Sequence, residues 1–223
     1  IKNTLNSLLI SKYVEVTCFY VRNRIKGKSI ADKYNLRLVK NISQFFNENL
    51  DIIYIACPPD SHFKYIKLAL DKKKHVICEK PLTLDFKKNQ YLFKYANLKK
   101  LFLFEVCQYK FHQHYEIIKK TIKKDFNINK EKKFFYSSFK IPMLNKGNFR
   151  LKKTNKDLIK FDIGFYPISL IDDLFDDIKI ISLIKYKANL NYYGSCYFKS
   201  KSLKGVIEWG MGFQYSNQLS YFS

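Results

Sequence analysis

The 223-residue chain contains no Gly-x-Gly-x-x-Gly run, the turn through which backbone amides approach a pyrophosphate. It contains no Cys-x-x-Cys pair either. Its five cysteines, Cys18, Cys57, Cys78, Cys107 and Cys196, are odd in number and dispersed. That pattern argues against a disulfide framework or a zinc site and for a reducing compartment. No apolar run approaches the roughly 20 residues that a membrane helix needs. The opening IKNTLNSLLI lacks the apolar stretch and small-residue cleavage site of a secretory signal. A cytoplasmic protein without a membrane partner is expected. Arginine is scarce, present only as Arg22, Arg24, Arg37 and Arg150. Acids are outnumbered, 19 Asp+Glu against 41 Lys+Arg, for a net charge of +22. So large a basic excess can mark a nucleic-acid binder. Here the lysines are scattered through every segment, and arginine, the better bidentate reader of phosphate, is nearly missing. Lysine is also abundant together with Asn, Ile, Tyr and Phe, a bias of the whole composition. The surplus reads as a solvated surface, with no nucleic-acid partner expected. Its field would still draw in an anionic small substrate.

What is present is enough apolar residue, 47%, to bury a sizeable core. The first half alternates helix and strand patterns. Ile1–Lys12 has helical spacing, Val14–Tyr20 is β-branched and aromatic, and Lys28–Tyr34 reads as a helix closed by Asn35. A short strand Leu36–Val39 precedes a helix Gln44–Asn49 that Ser43 can cap. Strand Asp51–Cys57, helix Ser61–Asp71, strand His75–Cys78, helix Asp85–Ala96 and strand Leu101–Val106 follow. Such alternation predicts an α/β doubly wound parallel sheet. From Cys107 the pattern changes. Helices near Gln113–Lys123 and Phe161–Phe175 are interleaved with strand runs Lys133–Ile141, Ile178–Lys187, Asn191–Phe198 and Val206–Gln214. This is the pattern of an α+β domain with a mostly antiparallel open sheet. Two domains are expected, 1–104 and 105–223.

The most informative stretch is Val76–Thr83, VICEKPLT. It places Lys80 at the carboxyl end of a buried strand, between Glu79 and Pro81, with a helix to follow. Upstream, the strand DIIYIAC ends in Pro58, Pro59 and, shortly after, His62. Two apolar strands with a helix between them describe a βαβ crossover with a site at its rim.

The ordered set DIIYIACPPDSH, KHVICEKPLTLD, EVCQYKFHQHYEIIK and FDIGFYPIS resembles the Gfo/Idh/MocA family of NAD(P)-dependent oxidoreductases, over nearly the whole chain. The resemblance implies a Rossmann-type domain, here truncated before its first strand and glycine-rich turn, and a C-terminal α+β domain cut at its end. It implies hydride transfer between a nicotinamide and a sugar, cyclitol or related carbonyl or alcohol. Lys80 matches the family lysine beside the nicotinamide ribose and the reacting hydroxyl. Asp162 and Tyr166 match its second motif, and their i, i+4 spacing puts them on one helix face. In the chemistry so implied, Tyr166 donates the proton, Lys80 lowers its pKa and stabilises the oxyanion, and Asp162 orients substrate or the pair. Cys57, Pro58, Pro59, Glu79 and Pro81 fall on the cofactor side, where His62 either caps its helix or approaches the cofactor. Lys110 stands where the family often has arginine; Lys110 and His112 are candidates for substrate contact or for packing. Arg22 follows the second strand, where an acid would favour NAD and an arginine can pair with a 2′-phosphate. NADP is therefore expected, with NAD the alternative. A sugar or nucleotide-sugar ketoreductase leads; a dihydrodiol or polyol dehydrogenase, or a non-catalytic NAD(P)-binding regulator, stands beside it. The family also implies a homodimer or homotetramer paired through the C-terminal sheet.

Overall fold

The computed structural model describes residues 2–128, 132–145, 147–148, 151, 158–188 and 191–223. The chain divides into two compact units, Ile1–Val106 and Cys107–Ser223.

The first unit begins with α1 (Lys2–Ile10), β1 (Cys18–Phe19) and α2 (Arg24–Tyr34). Asn23 opens α2, its side-chain oxygen accepting from Lys26 N at 3.0 Å. Asn35 closes it at φ 51°, the left-handed conformation that a short polar side chain tolerates. Next come β2 (Arg37–Leu38), α3 (Ile42–Asn47) and β3 (Ile52–Ile55). A 3₁₀ turn, Pro59–Ser61, leads into α4 (His62–Asp71), followed by β4 (His75–Cys78), α5 (Phe86–Leu98) and β5 (Leu103–Glu105). Every pairing is parallel, but the strands form two sheets, β1 with β2 and β3-β4-β5. Among the described residues no strand bridges β1 and β3, so the doubly wound sheet is seen in two parts. The first strand is also shorter than VEVTCFY suggested, because β2 offers it only the partners Arg37 and Leu38. Asn41, not Ser43, caps α3, accepting from Gln44 N at 2.8 Å; the helix already starts at Ile42.

Register explains the core of this unit. Ile53, Val76 and Leu103 are neighbours across the three-stranded sheet, as are Ile55 and Cys78. All are buried with Ile66, Ala69 and Leu70 of α4 and Leu92 and Ala96 of α5. Each large aliphatic so buried stabilises the unit by about 1.5–3 kcal/mol. Asp85 starts α5 by accepting from Lys87 N at 2.9 Å and Lys88 N at 3.3 Å.

The second unit holds a 3₁₀ turn, Gln108–Phe111, then α6 (Gln113–Ile128), β6 (Lys133–Ile141), α7 (Leu158–Leu174), β7 (Lys179–Ala188), β8 (Asn191–Ser200), β9 (Leu203–Met211) and β10 (Ser216–Phe222). Its five strands lie in the order β10-β6-β9-β8-β7, with all neighbours antiparallel except β6 and β9. One face is apolar: Phe135, Ile207, Trp209, Met211 and Phe198 pack with Tyr115 of α6 and Ile163, Leu170 and Ile171 of α7. The indole of Trp209 lies directly on Gly194, where a Cβ would fall 2.3 Å from the ring. On the other face Glu208 accepts from Tyr136 Oη at 2.8 Å, Tyr193 Oη at 2.6 Å and Lys140 Nζ at 2.6 Å. Burial works against ionisation of Glu208, but those bonds win and its carboxyl lies below the usual range. At the end of the sheet, β7 exposes Ile180, Ile181, Leu183, Ile184 and Tyr186.

Candidate functional site

Parallel strands end on one edge of their sheet, and the carboxyl ends of β3, β4 and β5 carry Cys57, Glu79–Pro81 and Glu105 along a single rim. Cys57 is half-buried, and burial pushes its thiol up to about 11, which keeps it a thiol. Pro58 is extended and Pro59 occupies the first position of the 3₁₀ turn, where its missing N–H costs nothing. His62, the first residue of α4, is wholly buried. Its Nε2 lies 2.8 Å from Cys57 O, and its Nδ1 lies 3.0 Å from Pro81 O and 3.1 Å from Leu82 O.

The turn after β4 is fixed from several sides. Glu79 N donates to Ile55 O at 2.9 Å, which prolongs the β3–β4 ladder by one residue. The Glu79 carboxylate accepts from Tyr54 Oη, and burial together with that carboxylate raises the phenol's pKa. Leu82 N donates to the Glu105 carboxylate, and Val106 N to Cys78 O at 2.8 Å. The Lys80–Pro81 peptide bond is cis. Pro81 and Leu82 are buried while Lys80 is half-buried. The structure thus brings Cys57, His62, Glu79, Lys80 and Pro81 together, with Pro58 and Pro59 adjoining. Tyr54 and Glu105 are the residues that sequence reasoning missed. The signal for Glu105 was there, since it ends an apolar strand as Glu79 does.

At the end of β1, Asn23 is engaged in capping α2. Arg24 Nη1 donates to Val39 O at 2.8 Å and Lys40 O at 3.2 Å, tying α2 to the segment after β2. Arg22 is exposed, and its charge reaches the Cys57 thiol.

In the second unit, α7 carries both Asp162, which is buried, and Tyr166, which is half-buried with its ring 4.5 Å from that of Phe139. Tyr109 Oη meets Ser169 Oγ at 2.9 Å, and that serine donates to Tyr166 O at 3.1 Å. Near the end of α7, Asp173 accepts from Lys110 Nζ at 3.1 Å, Lys119 Nζ at 2.8 Å and Tyr115 Oη. Burial opposes ionisation of Asp173, but the bonds from Lys119, Tyr115 and Lys110 hold its carboxyl well below the usual range. Lys110 is therefore placed in an ion pair. His112 is exposed, and its carbonyl accepts from Tyr115 N at 2.9 Å and Glu116 N at 3.3 Å to start α6. Asp173 is a third residue that sequence reasoning passed over, although an acid inside an apolar helical run is a visible signal. Lys80 belongs to the first unit, and Asp162, Tyr166, Lys110 and His112 to the second. Among the described residues no group of His, Cys, Asp and Glu is arranged to hold a metal ion, and no helix is long and apolar enough to cross a membrane.

Residues 2–106 match the profile of a family described as oxidoreductases with an NAD-binding Rossmann fold. A dTDP-3,4-didehydro-2,6-dideoxy-alpha-D-glucose 3-reductase from Actinomadura kijaniata is 27% identical over 168 residues, covering 75% of this chain and 50% of that protein. A D-xylose 1-dehydrogenase (NADP(+)) from Hypocrea jecorina is 44% identical over 57 residues, 26% of this chain and 15% of that one. The chain spans about half the length of the curated 3-reductases it matches. Among solved structures, a 3-ketoreductase from Actinomadura kijaniata in complex with NADP and TDP-benzene superposes with a TM-score of 0.87 at 22% identity, over 96% of this chain and 67% of that one. A biliverdin reductase from Synechocystis superposes with a TM-score of 0.81 at 15% identity, over 100% and 73%. At these identities the likeness is one of fold.

Proposed function

We propose, from the match of residues 2–106, that the chain belongs to the Gfo/Idh/MocA family of oxidoreductases and that the whole protein transfers a hydride between NADP and the carbonyl or hydroxyl of a sugar or nucleotide-linked sugar. The observation that carries the reading is the braced turn at the carboxyl end of β4, which presents Lys80 at the rim. The chemistry of that rim suits a nucleotide. Of its carboxylates, Glu79 is engaged by Tyr54, Glu105 by Leu82 N and Asp60 by Ser61 Oγ, and the cations Arg22 and Lys80 would meet the charge of a polyanion. Arg22 would hold a 2′-phosphate, and Lys80 would stand beside the nicotinamide ribose. Cys57, Pro58, Pro59 and Pro81 shape the backbone between them. The nicotinamide, when bound, supplies or accepts the hydride.

The rest falls to side chains. As a ketone is reduced, negative charge gathers on its oxygen, and a donor is needed within about 2.6–3.2 Å. Tyr166 gives that proton, Lys80 stabilises the oxyanion and the phenolate left behind, and Asp162 orients the sugar. Lys110, paired with Asp173, and His112 would contact the substrate. The names of the 3-reductases support reduction of a nucleotide-linked keto-sugar, and those of the D-xylose dehydrogenases support the reverse direction on a free sugar. The dispersed free thiols suit the cytoplasm, and the open face of the five-stranded sheet suits pairing of two or four copies.

A screen of the complete protein for nicotinamide absorbance change, against keto-sugars, nucleotide sugars and polyols, tests the reading. Lys80→Ala and Tyr166→Phe should each lower kcat by about a hundredfold or more on any substrate found. Wild-type turnover in both variants would remove the assigned roles.

A further inference from the structure

We propose that His62 is a positioning residue, which through Nδ1 clamps the turn carrying Lys80 to the start of α4 and so sets where the lysine ammonium stands; its consequence for turnover rests on the reading of Lys80 given above. The imidazole is 0% exposed, a buried titratable ring for which the chemistry above has no use. Both ring nitrogens are directed at the backbone. Nε2 meets Cys57 O, five residues earlier, at 2.8 Å, and Nδ1 meets Pro81 O and Leu82 O, 19 and 20 residues later, at 3.0 and 3.1 Å. All three partners are carbonyl oxygens, which only accept, and a neutral imidazole has one N–H, so the tautomer protonated at Nδ1 is the one that donates to Pro81 O and Leu82 O.

The clamp acts on the two residues directly after Lys80. Leu82 is held at its carbonyl by His62 and at its N–H by the Glu105 carboxylate, and its side chain is buried. Glu79, directly before Lys80, is held by Ile55 O and Tyr54 Oη. The backbone on either side of the lysine is thus fixed, and the turn cannot re-aim Lys80 without breaking a contact to a buried imidazole. No nitrogen of His62 is left over to face a cofactor. The residue acts on the cofactor site through Lys80 rather than by touching it.

In the complete protein, His62→Asn keeps an amide N–H near the Nδ1 position, His62→Gln keeps one near the Nε2 position, and His62→Leu keeps neither. Amide hydrogen exchange of Glu79, Lys80, Leu82 and Thr83 is the direct readout. His62→Leu should speed exchange there about tenfold or more, with Val76 and Ile77 of β4 unchanged. His62→Asn should stay within about threefold of wild type, and His62→Gln should resemble Leu. Turnover should follow the same order: kcat of His62→Leu falls about tenfold or more, its NADPH dissociation constant by titration calorimetry moves less than about threefold, and Asn recovers most of kcat. Unchanged exchange in His62→Leu overturns the proposal. So does a loss of NADPH affinity as large as the loss of kcat, the mark of a residue that touches the cofactor. Should the Leu variant fail to fold, equal exchange in Asn and Gln overturns it. A wild-type protein inactive on every sugar and polyol would defeat the functional reading instead, and the exchange measurement would still decide the clamp.

Discussion

The hydroxyl of Tyr54 reaches from β3 to the carboxylate of Glu79. Removing it in Tyr54→Phe takes a donor from a half-buried charged acceptor, a loss of about 1.5–3 kcal/mol. The melting temperature by differential scanning calorimetry should fall accordingly, and an unmoved one would mean that the carboxylate finds another donor. Arg22 carries a different expectation. With Asn23 and Arg24 both engaged by α2 and its surroundings, Arg22→Ala should cut kcat/KM with NADP by about tenfold and leave that with NAD unchanged. Equal losses with both cofactors would place Arg22 away from the 2′-phosphate. Lys80 could be singled out from the sequence because glutamate and proline flank it at a strand end. The partners of His62 could not. They are backbone carbonyls 19 and 20 residues on, and any residue type supplies a carbonyl. The same holds for the pairing of Asp173 with Lys110 and Lys119, whose separations of 63 and 54 residues are set only by packing of the Gln108–Phe111 turn and α6 on α7.

At the scale of the element, β9 is closely packed. It runs between β6 and β8, and a Cβ at Gly205 would fall 2.5 Å from the Phe198 ring and 2.8 Å from Phe135 O. The backbone oxygen cannot move aside as a side chain does. Gly205→Ala should therefore cost about 2 kcal/mol or more by urea titration; a loss below about 0.5 kcal/mol would show that the strands can part locally. Helix ends were readable where one residue type had no rival, as at Asn35. The start of α3 was not, since Asn41 and Ser43 are both good caps and propensity does not choose between them. Strand length failed for a related reason. VEVTCFY has the composition of a strand, but a ladder extends only as far as its partner, and β2 pairs with two residues. By contrast Lys133–Ile141 and His75–Cys78 were legible to the residue, because each is bounded by charged or turn-forming sequence and paired along its whole length.

For the whole chain, the switch from alternating helices and strands to consecutive strands was enough to separate a parallel from a mostly antiparallel unit. Which strands share a sheet was not legible, because that depends on neighbours rather than on the strand's own residues. Charge sets the response to acid. Asp173 and Glu208 both lie below the ordinary carboxylate range when folded, so the unfolded chain binds their protons first. Their contribution to stability is complete above about pH 5 and is lost as pH falls through the ordinary range toward their folded values. Protonation also adds to a net charge of +22 that already repels itself. The second unit, which holds both carboxylates, should lose calorimetric stability below about pH 4, and Asp173→Asn should flatten that decline; an equally steep decline in the variant would assign the acid sensitivity elsewhere. The contact between Trp209 and Gly194 has an experimental use of its own. This is the chain's one tryptophan, and it is buried in the core of the second unit. Indole emission, excited selectively, therefore watches that unit alone, while the first is silent at the same wavelength. If the two units come apart separately in guanidinium, fluorescence will trace one of the transitions and circular dichroism both.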